Sequence, residues 1–347
     1  MKKEILIIGG GLSGLVTGYL LKKKGNYSIK ILEANSRLGG RIYTKKVISA
    51  PIELGATWLW KYNTSLLNLC KELNVNLFEQ QMEGDALFEA MSANPPQRFK
   101  LPPNQEISYR IDGGTSALLD KLSNELQGCI LLNEKVLEFN SSDDKVLVKT
   151  PNSTYYCDTV ISTLPPKLLV NSIQFSPELP KDVIQISDKT HTWMKDSIKF
   201  SVVYDTPFWR KNGLSGVAFS NVGPFTELYD HSNASDNGFA LMGFLNGALA
   251  PLSLEQRRQK VIDQLTKFFG EEATQYISYE EKVWRNEELT TFADNQFIMP
   301  HQHNGHIIYQ KPFLNGKLFI SGSETSKEFG GYMEGAVRRA FNIVENL

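Results

Sequence analysis

A strand, a glycine turn and a helix in direct succession constrain this chain more than anything else in it. Residues 5–8 of KEILIIGGGLSGLVTGYLL form a continuous apolar run, the pattern of a parallel strand buried on both faces. Gly9, Gly11 and Gly14 then stand in G-x-G-x-x-G spacing, with Leu12 and Ser13 opening a helix that should extend to about Lys24. The first glycine permits a sharp turn, the second lets a pyrophosphate approach the backbone, and the third lets helix and strand pack closely. The positive end of the helix points at the phosphates. A second apolar run, residues 29–32, ends at Glu33, followed by Ala34. A carboxylate there can hold both hydroxyls of a ribose. Such a chain must build an α/β unit around a parallel sheet.

The remaining composition narrows the partners. The 347 residues are 41% hydrophobic and 22% charged with a net charge of −1, so no basic field is available for nucleic acid or an anionic membrane. Cys70, Cys129 and Cys157 show no metal or redox spacing and read as free thiols in a reducing cytoplasm. The N-terminal apolar run is broken by Gly9, Gly10 and Gly11 and lacks a small-residue cleavage site, so it reads as a strand rather than a signal peptide. No apolar segment approaches the ~20 residues of a membrane span, and no membrane anchor is expected after the helix from Gly335. The cluster His301, His303 and His306 could share a strand face. No Cys, Asp or Glu lies nearby to complete a metal site, so a polar turn is expected and no metal is assigned.

After Glu33 the segment EANSRLGGRIYT carries Arg37, Gly39, Gly40 and Arg41. It resembles the RxGGR segment of the FAD-binding oxidase and desaturase superfamily, whose final arginine lies near the pyrophosphate and the flavin end. A guanidinium suits that place because it pairs with phosphate oxygens at two points; the alternative is a solvated surface turn. IELGATWLW resembles the family's turn beside the flavin, with Gly55, Ala56 and Thr57 small enough for the ring system to pass, while Trp58 and Trp60 read as core aromatics. YRIDGGTSALLDKL resembles a turn into a helix that re-enters the FAD unit. NEKVLEF places Val136 where, in relatives, a strand backbone meets the adenine. With FWRKNG and the closing SGSETSKEFGGYMEGAVRRAF, the whole chain resembles the flavin-containing amine oxidases of the monoamine oxidase type.

That resemblance implies a FAD-binding, Rossmann-like domain of the glutathione-reductase type with a smaller α+β substrate domain, both discontinuous. The expected boundaries are 1–85, 111–188 and 291–347 for the first and 86–110 with 189–290 for the second. It also implies further cofactor contacts at Gly322, Glu324 and Met333. Lys199 falls at the position of the lysine that reaches flavin N5 through a water; a lysine in so apolar a strand is costly unless paired, and desolvation would lower its pKa. The alternative is a snorkelling surface lysine. Trp284 resembles a tryptophan packed on the substrate side of the flavin, with an ordinary core tryptophan as its alternative. Tyr332 matches one wall of an aromatic cage, at the start of a helix whose positive end would favour electron density on the reduced ring.

Two departures and one gap stand out. The cysteine that carries flavin covalently should fall near Ala293, and no cysteine follows Cys157, so FAD should be non-covalent. The second cage tyrosine should fall near Asp294, leaving that wall missing or supplied by Phe292. Between Glu83 and Ser108 a long, mostly helical part of the substrate domain is replaced by an extended, helix-free segment with Pro95, Pro96, Pro102 and Pro103. The site should then be open to solvent, serving a bulky amine, or be covered by a homodimer partner or another chain. The leading expectation is oxidation of an amine, small or bulky, to an imine, with oxygen as acceptor and hydrogen peroxide released. The alternatives are a desaturase-type oxidoreductase of the same superfamily and a partner-dependent or non-catalytic flavoprotein.

Overall fold

The computed structural model describes residues 2–48, 50–142, 144–292, 294 and 296–347. Its first sheet is parallel throughout, in the spatial order Ile130–Leu131, Tyr27–Leu32, Lys3–Ile8, Thr159–Ser162 and Leu318–Ile320. The first strand is central, which is why residues 5–8 are buried and apolar without alternation. The helix Leu12–Lys24 crosses one face beside the last helix, Met333–Glu345, and Leu15, Val16, Val337, Ala340 and Ile343 share one core cluster. Gly25 stops the first helix in a left-handed conformation, its N–H donating to Leu21 O and Lys22 O.

A four-stranded sheet, ordered Thr154–Cys157, Val146–Lys149, Glu138–Ser141 and Gln174–Ser176, helps close the other face. Val136 is buried in that core but lies just before the Glu138–Ser141 strand, not within a strand as expected. The histidine cluster forms turns, with His301 and His303 at positive φ.

The larger sheet has seven strands, in the order Ser278–Val283, Ile198–Tyr204, Phe239–Leu245, Phe225–Asp230, Leu214–Ser220, Asp85–Glu89 and Gln97–Lys100. The proline-rich segment therefore contributes a hairpin to the sheet edge, because Asp85–Glu89 pairs in parallel with Leu214–Ser220. Leu254–Phe269, opened by a Ser253–Gln256 capping box, covers one face. Arg257 ties this helix to the edge strand through Glu281.

All seven residues of Ile198–Tyr204 are buried, and their alternation decides the site. Ile198, Phe200, Val202 and Tyr204 enter the core under the helix, whereas Val203 packs with Ala50 and Ile52 of the ribbon formed by Thr44–Val47 and Ala50–Glu53. Period-two geometry sends Lys199 to that second face. Burial of each large apolar side chain on the helix side contributes about 1.5–3 kcal/mol, enough to hold the lysine in register.

Candidate active site

One cavity of about 1500 Å³ runs from the first glycine turn to the seven-stranded sheet. That exceeds the roughly 300–1,000 Å³ of a single small-ligand site. Gly9, Gly11, Leu12, Ser13 and Glu33 line one end; Lys199, Phe244, Glu227 and Tyr332 line the other. Gly9 turns at φ +105, and a Cβ on Gly14 would lie 2.0 Å from Gly9 O. Neither Leu12–Lys24 nor Met333–Glu345 has a side-chain cap at its N-terminus, and the first residues of both line the cavity. Two helix ends thus present free N–H groups to an electron-rich ligand.

The carboxylate expected to hold a ribose is already oriented. Glu33 accepts from Gly10 N–H at 2.6 Å and Asn35 N–H at 2.8 Å. Gly39, Gly40, Arg37 and Arg41 also line the cavity, but the two arginines do different work. Arg37 donates to Leu38 O, Gly40 O and Ile42 O, so it braces the glycine turn from within. Arg41 donates to Trp193 O and Ser323 Oγ and pairs with the fully buried Glu324 at 2.5 Å. Burial would raise the Glu324 carboxyl; the Arg41 guanidinium outweighs it and holds the group below the usual range. Glu324 therefore acts on the cavity through Arg41, and it does not line the cavity itself; neither do Gly14, Ala34, Val136 or Gly322.

At the other end Lys199 is 1% exposed. Its Nζ donates to Gly55 O at 2.7 Å and to Thr57 Oγ1, and sits 5.0 Å from the Trp58 ring centroid and 5.3 Å from that of Phe244. Desolvation lowers its pKa to about 7, with Glu53 partly opposing and Arg110 reinforcing the shift. Glu53, the last residue of the ribbon, is itself buried and held by Thr44 Oγ1 and Thr115 N–H. The ammonium is thus poorly compensated, and the surface-lysine alternative fails.

The aromatic residues fall differently from expectation. Trp58 and Trp60 line the cavity instead of the core; the Trp58 indole is held by Gln80 Oε1 at 2.9 Å. Trp284 is 1% exposed and donates to Leu54 O at 2.8 Å. It is bonded to the neighbour of Gly55 and lies outside the cavity lining. Tyr332 lines the cavity at 39% exposure, with Trp193 at 5.3 Å and His301 at 5.5 Å between ring centroids. Asp294 offers no second aromatic wall: it bridges Lys167 and Lys195 at 2.5 and 2.6 Å. Neither it nor Phe292 lines the cavity, and Ala293 lies outside the described residues.

Leu101, Pro102, Pro103 and Ile107 line the cavity, so the short segment walls the site in place of a helical roof. Trp193, Glu227, Tyr229 and Phe244 were missed by sequence reasoning. The only signal for the last three was strand alternation, which puts them on one face once the neighbouring strands are known.

Residues 84–347 match the family model described as flavin containing amine oxidoreductase, and residues 7–73 match an NAD(P)-binding Rossmann-like domain. The amine oxidase [flavin-containing] A of Canis lupus familiaris is 32% identical over 96% of this chain and 82% of its own length. A probable flavin-containing monoamine oxidase A of Dictyostelium discoideum is 24% identical over 99% and 97%. That alignment spans 450 positions against 347 residues here, in keeping with the shortened segment. A putrescine oxidase solved with putrescine superposes with a TM-score of 0.86 at 22% identity, covering 100% and 99% of the two chains. The cyclohexylamine oxidase of Brevibacterium oxydans IH-35A gives 0.85 at 19% with the same coverage. No described helix is long and apolar enough to cross a membrane. With the family model covering most of its length, the chain belongs to the flavin-containing amine oxidoreductases, and its cofactor is FAD.

Proposed function

We propose that this protein oxidises an amine to an imine, with oxygen as the electron acceptor and hydrogen peroxide as the second product. The observation that carries the reading is the single cavity joining the glycine turn to Lys199 and Tyr332. Bound FAD would supply the redox capacity, as acceptor of a hydride equivalent from the carbon beside nitrogen. Gly9, Gly11, Leu12 and Ser13 would hold its pyrophosphate, Glu33 its ribose, and Gly55, Ala56, Thr57 and Met333 its ring system.

Each remaining role belongs to a named side chain. Lys199 is poised near neutrality, so its Nζ can take and return a proton at working pH. Gly55 O and Thr57 Oγ1 fix its position, and the Trp58 and Phe244 rings keep water from it. Tyr332 offers the face against which an amine is oriented. Trp284 fixes the Leu54 carbonyl, and with it the Gly55 turn, as a positioning residue. We assign residues 86–110 and 189–290 to the substrate unit and the remainder to the FAD unit.

Adding a panel of primary and secondary amines to the yellow holoprotein in air should release hydrogen peroxide in step with amine loss. Flavin that stays oxidised with every amine under nitrogen would refute the reading. The lack of any cysteine after Cys157 further implies that acid precipitation leaves all FAD in the supernatant; flavin retained on the pellet would contradict this.

A further inference from the structure

The histidine cluster takes no part in the chemistry above, yet His301 stands where the aromatic wall is held. Its imidazole stacks on the Trp193 ring at 4.8 Å between centroids and 20° between planes, and on the Tyr332 ring at 5.5 Å and 24°. Trp193 and Tyr332 touch at 5.3 Å, so the three rings form one closed cluster. Trp193 and Tyr332 line the cavity; His301 lies outside the lining and is exposed. The Tyr332 hydroxyl is 3.5 Å from His301 Nε2, too far for a strong hydrogen bond, so ring contact holds the pair.

Three separate segments supply these rings, and backbone contacts lock them together. A Cβ on Gly331 would lie 2.9 Å from Trp193 Cβ, and one on Gly330 2.7 Å from Asn304 Cβ. The two glycines before Tyr332 therefore admit the other two segments. Asn304 N–H donates to His301 O at 3.1 Å and closes the turn, in which His301 has φ 60. A side chain other than glycine keeps that conformation only where its surroundings impose it. Gly305 N–H donates to Glu324 O at 2.7 Å, and His191 N–H donates to Gln302 O at 3.0 Å. The turn is thus tied both to the partner of Arg41 and to the segment carrying Trp193.

An exposed phenol can occupy several rotamers, so a neighbour must select one. We infer that His301 is a positioning residue for amine oxidation: wedged against Trp193 and Tyr332 from outside the cavity, it fixes the two rings as one continuous face on which the amine is oriented. This rests on the amine-oxidation reading and deepens it.

Stopped-flow reduction of the holoprotein under nitrogen by benzylamine, pentylamine and cadaverine tests it, with His301→Ala and His301→Phe beside the parent. In His301→Ala the limiting rate of flavin reduction should fall about ten- to hundredfold, the range for a misplaced orienting surface. Flavin content and reoxidation by oxygen should match the parent, because neither needs an oriented amine. His301→Phe keeps a stacking ring and should reduce within a few-fold of the parent. Parental reduction in His301→Ala, flavin or reoxidation lost in proportion, or failure of His301→Phe to rescue would overturn the role. The chain has five histidines, so the His301 ring-proton resonance is assigned as the one missing from His301→Phe. It should lie upfield, shifted by ring currents, and move downfield in Trp193→Leu; a resonance at the free-imidazole position in the parent would also overturn the role. Bleaching by none of the three amines would remove the oxidation reading, while the resonance still decides whether His301 holds the wall.

Discussion

The two ends of the cavity are built by opposite means. At the end proposed for the cofactor the backbone would do the binding: glycines set the approach, two uncapped helix ends offer N–H groups, and Glu33 is held by main-chain donors. At the other end side chains from distant segments meet: Lys199, Glu227 and Phe244 on a sheet face, with Trp58 and Tyr332 from turns beside it. Backbone geometry tolerates no side-chain variation where atoms already touch. A wall of side chains can be rewritten one residue at a time while the sheet beneath it persists. In the proposed function the first kind of site would fix the cofactor, and the second would be free to set the substrate.

The largest effect should come from the backbone end. In Gly14→Ala the new Cβ would meet Gly9 O at 2.0 Å, so the turn must open and the pyrophosphate seat is lost. The variant should purify without flavin, as read from absorbance against protein; a yellow protein would break the comparison. Next is Glu324→Gln, which leaves Arg41 without its buried partner. Removing one member of such a pair costs about 3 kcal/mol, seen as a lower Tm and weaker flavin retention. An unchanged Tm would mean that Arg41 finds its compensation elsewhere.

Lys199 gives a subtler signature. Its folded pKa of about 7 lies below the ordinary lysine value of 10.5, so between those limits the unfolded chain binds more protons. Stability should therefore rise with pH across that window, with the burial penalty fully present below pH 7. Lys199→Met should lack that slope in denaturant titrations, and an identical slope would assign it to other groups. The smallest change is expected for Trp284→Phe, which removes the bond to Leu54 O and should cost about 1 kcal/mol while flavin is retained. Complete loss of activity there would promote Trp284 from positioning residue to direct contact.

This contrast also explains what the sequence disclosed. The glycine spacing, the acid after the second strand and the helix starts are local patterns, and local physics places them. Lys199 was legible because a charge amid Ile198, Phe200, Val202 and Val203 is conspicuous. Trp58 read as a core aromatic because hydropathy says that an indole avoids water, not whether a core or a cavity receives it; Trp284 was placed by resemblance alone, which does not say on which side of the wall an indole stands. Trp193 gave no local signal, and Glu227 gave only strand alternation. Their place depends on which strands pair and which turns meet, contacts between residues far apart in the chain. The proline-rich segment read as extended, yet its pairing with Leu214–Ser220 could not be seen from prolines alone.

The most direct test is a paired measurement on Lys199→Met: flavin content after purification, and turnover with an amine that the intact protein oxidises. If backbone holds the cofactor and side chains run the chemistry, flavin content should equal that of the parent. Turnover should fall by about 10²–10⁴-fold, the span of a lost proton-transfer group. Flavin lost in proportion to activity, or turnover left intact, would contradict the division of labour between the two ends of the cavity.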